Sequence, residues 1–334
     1  YSDKSYIRSF LGWDTFRDAG AVGCLCFPLR VRQMVEFFSV AIFLEEPGSP
    51  DFQQMLSGEL AVEDYLLPLD VEYPDFSRAM CLMQRELHAE GKAIHQVEPF
   101  IETLIHIQEF FAEGGRPNDL APDSLAYHVY RAEKAATGAL LAYYQTVVTG
   151  IFEDAVDSVI QFARVDAARF RLRDSLRAQE LARLIPKYST SYVEAGLMHY
   201  QLWRLLRRLL PSSARVSPIF LADAARPSLA GKGHLYAPGD QLTFLYIFHP
   251  AISQPEWEKL LAARAMVYSK ILEKNESDER LEPFPHLRDE LACIQAVRQL
   301  SLEDYKHLFP LTRRAGTIEA RGMITEFLLK KNQQ

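Results

Sequence analysis

Apolar and polar positions alternate along this chain in two registers, one belonging to short buried strands and the other to amphipathic helices. Between Ala21 and Pro47 (AVGCLCFPLRVRQMVEFFSVAIFLEEP) both occur. Val22, Cys24, Leu25, Cys26 and Phe27 form a run too apolar for a surface strand, which is the pattern of a parallel strand covered on both faces. After Pro28, Val31, Met34, Val35 and Phe38 recur at three- and four-residue steps, predicting a helix with one buried face. Val40 to Leu44 is a second apolar run, and it stops at Glu45, Glu46, Pro47 and Gly48. The unit reads as strand, helix, strand.

Further along, Pro47 to Pro74 is punctuated by Gly and Pro, with short helices predicted near Phe52 to Leu56 and Val62 to Leu66, a plausible lid. Asp75 to Gly91 reads as a helix stopped by Gly91. Ala93 to Val97 reads as a strand running into Glu98 and Pro99, which repeats the Glu46-Pro47 ending, and a helix follows from Ile101 to Ala112. From Ser124 to Ile185 turn signals nearly vanish, so long helices are expected, with Gly138 and Gly150 as packing or break points. Ser191 to Gly196 then reads as strand and turn, Leu197 to Leu210 as a helical stretch, and Val216 to Leu221 as a further strand. Gly196 is expected to permit close backbone approach or a positive φ. Ala225 to Asp240, with Lys232, His234, Tyr236 and Asp240, reads as a flap. Helices are expected over Gln254 to Lys274, His286 to Leu300, Leu302 to Phe309 and Thr317 to Lys331, with Ser301 as a cap.

The fold class is therefore α/β: a parallel-rich sheet, a long helical insertion and a helical C-terminal region. The expected division is 1–123 for the first part of the core, 124–187 for the insertion, 188–250 for the second part of the core and 251–334 for the helical end. Composition narrows the function classes. A formal charge of −7 over 334 residues argues against nucleic acid as a partner, because phosphate binding needs a concentrated basic surface. Arg204, Arg207 and Arg208 form one basic run, read as the solvated face of a helix. No apolar run reaches the roughly eighteen residues of a membrane span. Four cysteines, Cys24, Cys26, Cys81 and Cys293, are too few for a disulfide framework, and a reducing cytoplasm is the expected compartment. No signal peptide is read, although a chain opening at Tyr1 is compatible with a removed leader.

No P-loop, GxGxxG, HExxH, GxSxG or CxxC occurs, so candidate chemistry rests on convergence. Ligands in open α/β sheets sit beyond the carboxyl ends of strands. Cys26, Glu45, Glu46, Glu98 and the Gly196-x-x-His199 turn all follow predicted strands. An inward-turned arginine of the charged helix, Arg173 or Arg177, would hold carboxylates there. Carboxylate, imidazole and thiolate suit a borderline divalent metal such as Zn, Mn or Fe.

The order GCLC, LEEP, RLRDSLRAQELARLI and YVEAGLMHYQLWRLL resembles the TraB/Tiki group and its relatives in the ChaN and erythromycin-esterase class, over roughly Ala21 to Leu210. The resemblance implies metal-dependent hydrolysis of peptide or ester bonds. By that resemblance Gly23, Glu45 or Glu46, Gly196 and His199 would line the site. Combined with the convergence of strand ends, Glu45 or Glu46 would be general base or metal ligand, His199 ligand or transition-state stabiliser, Cys26 a metal ligand, Arg173 catalytic as electrostatic support, and Glu98 part of the lining. Cys26 stands where that group has histidine. Two alternatives stay open, a non-catalytic module that binds a small molecule, peptide or metal, and a homodimeric scaffold built on the long helices.

Overall fold

The computed structural model describes residues 40–69, 71, 73–220, 236–273 and 285–333. The first predicted strand and its helix, with Gly23, Cys24 and Cys26, lie outside them, as do Lys232 and His234 of the predicted flap. The described chain is an α/β protein dominated by helices. It divides into two compact units, 1–120 with 172–230 and 276–286, and 121–171 with 231–275 and 287–334.

The first unit is organised on three parallel strands in the order β2-β1-β3: β1 (Ala41–Leu44), β2 (Ala93–Gln96) and β3 (Ser191–Val193). Ala41 sits opposite both Ala93 and Ser191, and this in-register pairing brings all three carboxyl ends to one edge. Strand β1 is fully buried, and its side chains separate by the two-residue period. Ile42 and Leu44 pack into a core with Phe52, Met55, Leu87 and Ile94, formed with α1 (Pro50–Ser57), α2 (Val62–Leu66) and α3 (Pro74–Ala89). Ala41 and Phe43 pack into an opposite core with Val97, Ala178, Leu181, Leu202 and Leu206. Helix α4 (Pro99–Ala112) follows β2, as read from the sequence. Gly91 adopts the left-handed conformation, φ 86°, where α3 gives way to β2, and glycine alone takes that backbone without a side-chain penalty.

The second unit is helical. It holds α5 (Leu125–Thr149) and the first part of α6 (Phe152–Leu184), then α8 (Pro238–Phe248), α9 (Pro255–Ile271), α10 (Pro285–Arg298), α11 (Leu302–Thr312) and α12 (Thr317–Lys331). Ser301 caps α11 as its sequence indicates, accepting from the Asp304 N–H while Asp304 accepts from the Ser301 N–H. The unit boundary falls inside α6, between Arg171 and Leu172, so the latter part of this helix belongs with the sheet.

Two local expectations are corrected, the strand at Val216 and the flap at Asp240. The described part of the predicted strand at Val216 has no regular structure. Of the two glycines expected as packing or break points, Gly150 ends the helical stretch and Gly138 stays inside α5. Of the two readings of Gly196, φ −66° removes the positive value. Asp240 is no flap residue: its carboxylate accepts from the Ala237 N–H at 3.2 Å and caps α8. Among the described residues no helix is long and apolar enough to cross a membrane.

Candidate functional site

The three strands of the first unit each run into a glutamate. Glu45 follows β1, Glu98 stands two residues beyond β2, and Glu194 follows β3. The two-residue period separates the Glu45/Glu46 pair. Glu45 continues the face of Ala41 and Phe43 and meets α6, whereas Glu46 turns the other way, accepting from Gln96 Nε2 at 2.8 Å. Gln96 Oε1 in turn accepts from the Ser49 N–H at 2.9 Å, so the loop after β1 is tied to the end of β2.

On α6 the inward stripe that is apolar at Ala178 and Leu181 becomes charged one turn earlier, at Arg173, Asp174 and Arg177, all buried. Arg173 reaches Glu45 at 2.7 Å and Glu98 at 3.1 Å. Arg177 donates from Nε to the Val97 carbonyl at 2.8 Å and from Nη2 to the Glu194 carbonyl at 2.7 Å, strapping the ends of β2 and β3 together. It also stands 3.5 Å from Glu45. Glu45 completes its shell with the Gly196 N–H, 2.8 Å away, and with His199 Nε2 at 2.9 Å. Gly196 therefore serves through its backbone N–H in an ordinary extended conformation.

His199 sits at the N-cap of α7 (Tyr200–Leu209), with its Nδ1 hydrogen-bonded to Asp174. The second Asp174 oxygen accepts from the Leu202 N–H at 3.0 Å, in the first turn of α7, where backbone donors lack helical partners. Asp174 thus fixes both the imidazole and the helix that carries it.

Charges in this cluster move apart in a consistent way. Burial alone would raise Glu45, but His199, Arg173 and Arg177 outweigh it and hold the carboxyl below its usual range. Burial alone would lower His199, yet the Glu45 and Asp174 carboxylates push it up to about 9, so it is an imidazolium at neutral pH. Burial raises Asp174, which shares a proton bridge with His199 and titrates with it as a pair. Burial would lower Arg173, but Glu98 and Glu45 raise it. Glu194 goes the opposite way from Glu45: burial, then the neighbouring Glu46 and Glu45, push it up to about 8, opposed by Arg177. Glu46 and Glu194 are partly exposed, whereas Glu45, Glu98, Arg173 and His199 are sealed from solvent.

Of the residues singled out in the sequence, Glu45, Glu98, Arg173, Gly196 and His199 meet in one cluster, and Arg177, the alternative arginine, belongs to it too. Glu46 stands at its rim. Gly23 and Cys26 lie outside the described residues. Asp174 and Glu194 were missed by sequence reasoning. The signal for Glu194 was present, a third glutamate following a strand; Asp174 was hidden between arginines.

As metal donors the described residues fit poorly. Both oxygens of Glu45 face guanidinium, imidazole or N–H groups, and both ring nitrogens of His199 face carboxylates. No group of three or more His, Cys, Asp or Glu among the described residues is arranged to hold a metal ion.

No family model matches the chain, and no solved structure matches it. An Archaeoglobus fulgidus protein described as uncharacterized is 28% identical over 269 residues, spanning 80% of this chain and 88% of that protein.

Proposed function

We propose that the first unit is a hydrolase of ester or peptide bonds working by carboxyl acid–base chemistry, with Glu46 as general base and Glu194 as general acid. The observation that supports this reading is a pair of partly exposed carboxyls at one strand edge, Glu46 tied to Gln96 and Glu194 following β3. Burial and the neighbouring Glu46 and Glu45 carboxylates push Glu194 up to about 8. Environments that drive neighbouring carboxyls apart in this way are how one site presents an acid and a base at the same pH. Water adds across the scissile bond: its proton passes to Glu46, its oxygen to the carbonyl carbon, and the Glu194 proton to the leaving group.

The sealed residues act beneath that pair. Glu45, Arg173, Arg177, His199 and Asp174 fix the ends of the strands, and Glu45 adds to the burial and the Glu46 charge that raise Glu194. In this reading they are positioning residues, a change from the direct roles expected for Glu45, His199 and Arg173. A divalent metal, implied by the TraB/Tiki resemblance, enters no step, because Glu45 is already paired with Arg173, Arg177 and His199, and His199 with Glu45 and Asp174.

Sealing of the charged core favours one second reading, a module that binds a small molecule or peptide at the Glu46/Glu194 rim without turnover. The deciding experiment is a screen of ester and peptide substrates with wild type, Glu46→Gln and Glu194→Gln, folding being checked by circular dichroism. Turnover lost in both folded variants supports hydrolysis. Ligand-dependent thermal shifts with no wild-type turnover move the reading to binding. Metal content of tag-free protein, wild type against His199→Ala and Cys26→Ala, tests the metal separately.

A further inference from the structure

We propose that Gln96 is the positioning residue of the Glu46 base, holding one oxygen of that carboxylate through an amide whose orientation is locked from its other end. The inference rests on the reading of Glu46 as general base. Gln96 closes β2, and its register partner on β1 is Leu44, two residues before Glu46. Positions two apart along a strand share a face. Gln96, Leu44 and Glu46 therefore follow the side of the sheet that Ile42 and Ile94 bury against α1, α2 and α3.

Gln96 Oε1 accepts from the Ser49 N–H at 2.9 Å, and Nε2 donates to Glu46 Oε2 at 2.8 Å. A backbone N–H cannot accept and an ionised carboxylate cannot donate, so the amide fits these two partners in one orientation. Flipped, it would set donor against donor and oxygen against oxygen. Ser49 immediately precedes α1, and the Tyr65 hydroxyl of α2 stands 3.4 Å from the same Nε2. Gln96 thus joins the base to both helices that follow β1. Its Nε2 can only donate, so it serves the ionised form of Glu46 better than the neutral one.

The titratable neighbours act the other way. After burial, Glu46 helps to raise both Glu194, which follows β3, and Cys81 of α3. By reciprocity, charge on either of them disfavours charge on Glu46. Arg85 of α3, the cation that opposes the rise of Cys81, donates to the Met55 carbonyl at 2.9 Å and to the Leu60 carbonyl at 2.8 Å. The Glu194 N–H donates to the Phe43 carbonyl at 2.9 Å, so β1 runs between Gln96 and Glu194. Two strand spacings of about 4.8 Å separate their backbones. Gln96 therefore acts on the base and leaves the acid to its own surroundings.

The test titrates Glu46 itself, by carboxyl-carbon NMR of the full chain labelled at glutamate, with Glu46→Gln assigning its resonance. The pH profile of kcat/KM is measured beside it. Gln96→Glu keeps an acceptor for the Ser49 N–H but replaces the donor to Glu46 by a second carboxylate. Gln96→Met fills the same space with neither group. In both variants the Glu46 midpoint is expected to rise by about one pH unit, taking the acid limb of kcat/KM with it, while the limb near pH 8 moves less. A residue that merely tied the loop would leave the midpoint of Gln96→Glu at its wild-type value. That result, in a variant folded by circular dichroism, overturns the proposal. A midpoint raised in both variants of a protein that turns over no ester or peptide supports the role of Gln96 and removes the hydrolytic reading alone.

Discussion

Helix α6 carries a buried ion network in each of its two parts, and the two networks are built differently. In the second unit Arg169 donates from Nε to Asp166 at 2.8 Å and from Nη1 to Glu133 at 3.1 Å. Nearby on the same helix, Arg164 reaches Glu258 at 2.5 Å, and Glu258 also accepts from the Tyr246 hydroxyl and the Gln254 N–H, both at 2.6 Å. In the first unit Glu98 is enclosed by Arg173 and Arg177 at 3.1 and 3.9 Å, yet neither of its oxygens receives an aligned hydrogen bond. Arg173 Nε and Arg177 Nη1 are likewise without one. Buried charges cost several kcal/mol each unless hydrogen bonds accompany the pairing. A network with its partners aligned is explained by folding. One that leaves buried charged atoms unaligned, and drives adjacent carboxyls to opposite protonation states, calls for a functional explanation.

Substitutions on the two sides should therefore separate activity from stability. The largest expected effect is on turnover: Glu46→Gln and Glu194→Gln lower kcat/KM by about 10²–10⁴ with melting temperatures close to wild type. Arg169→Met should leave kcat/KM unchanged in the folded fraction. If Arg169→Met loses turnover as deeply as Glu194→Gln, the division between the two parts of α6 fails. On stability the order reverses. Arg169→Met leaves Glu133 and Asp166 buried without their cation and should cost about 3–5 kcal/mol, measured by urea denaturation. At the lower end of the scale, Arg78→Ala removes an exposed pair with Glu63 and should cost under about 1 kcal/mol.

Much of the sheet edge was legible because strand and glutamate occur together in the sequence. The run to Leu44 and the run to Val97 both end in Glu and Pro, and parallel pairing brings such ends together. The same logic applied to SYVEAG would have found Glu194. What was not legible depends on the third dimension. Choosing between Glu45 and Glu46 requires knowing which face of β1 meets α6, and a one-residue slip reverses the answer. Asp174 could not be told from its charged neighbours, because helical periodicity identifies a face but not which residue on it meets His199. The unit boundary inside α6 leaves no trace either, since the helix continues unbroken through it. For Gly196 the sequence left close backbone approach and a positive φ open, and its N–H donated to Glu45 is the former.

A pH experiment sharpens the same comparison with a smaller effect. His199 rises from its ordinary 6.5 to about 9, so its contribution to stability is fully present below pH 6.5 and is lost as pH rises through 9. Glu194 rises from 4.5 to about 8, so its contribution is present below 4.5 and is lost progressively as pH climbs through 8. Glu45 is depressed, and its contribution is present above 4.5 and lost as pH falls toward its lowered value. Wild type should therefore lose melting temperature between about pH 4.5 and 9, through Glu194 below about 6.5 and through both groups above it. Glu194→Gln, which keeps the shape of the neutral carboxyl without its titration, should flatten part of that alkaline decline. Arg169→Met should shift the whole curve downward without changing its slope there. The alkaline limb of kcat/KM near pH 8 belongs to the same proton on Glu194, and would be absent from any residual turnover of Glu194→Gln. A decline unchanged in that variant, measured by calorimetry, would assign it to His199 alone and leave the site without its proposed acid.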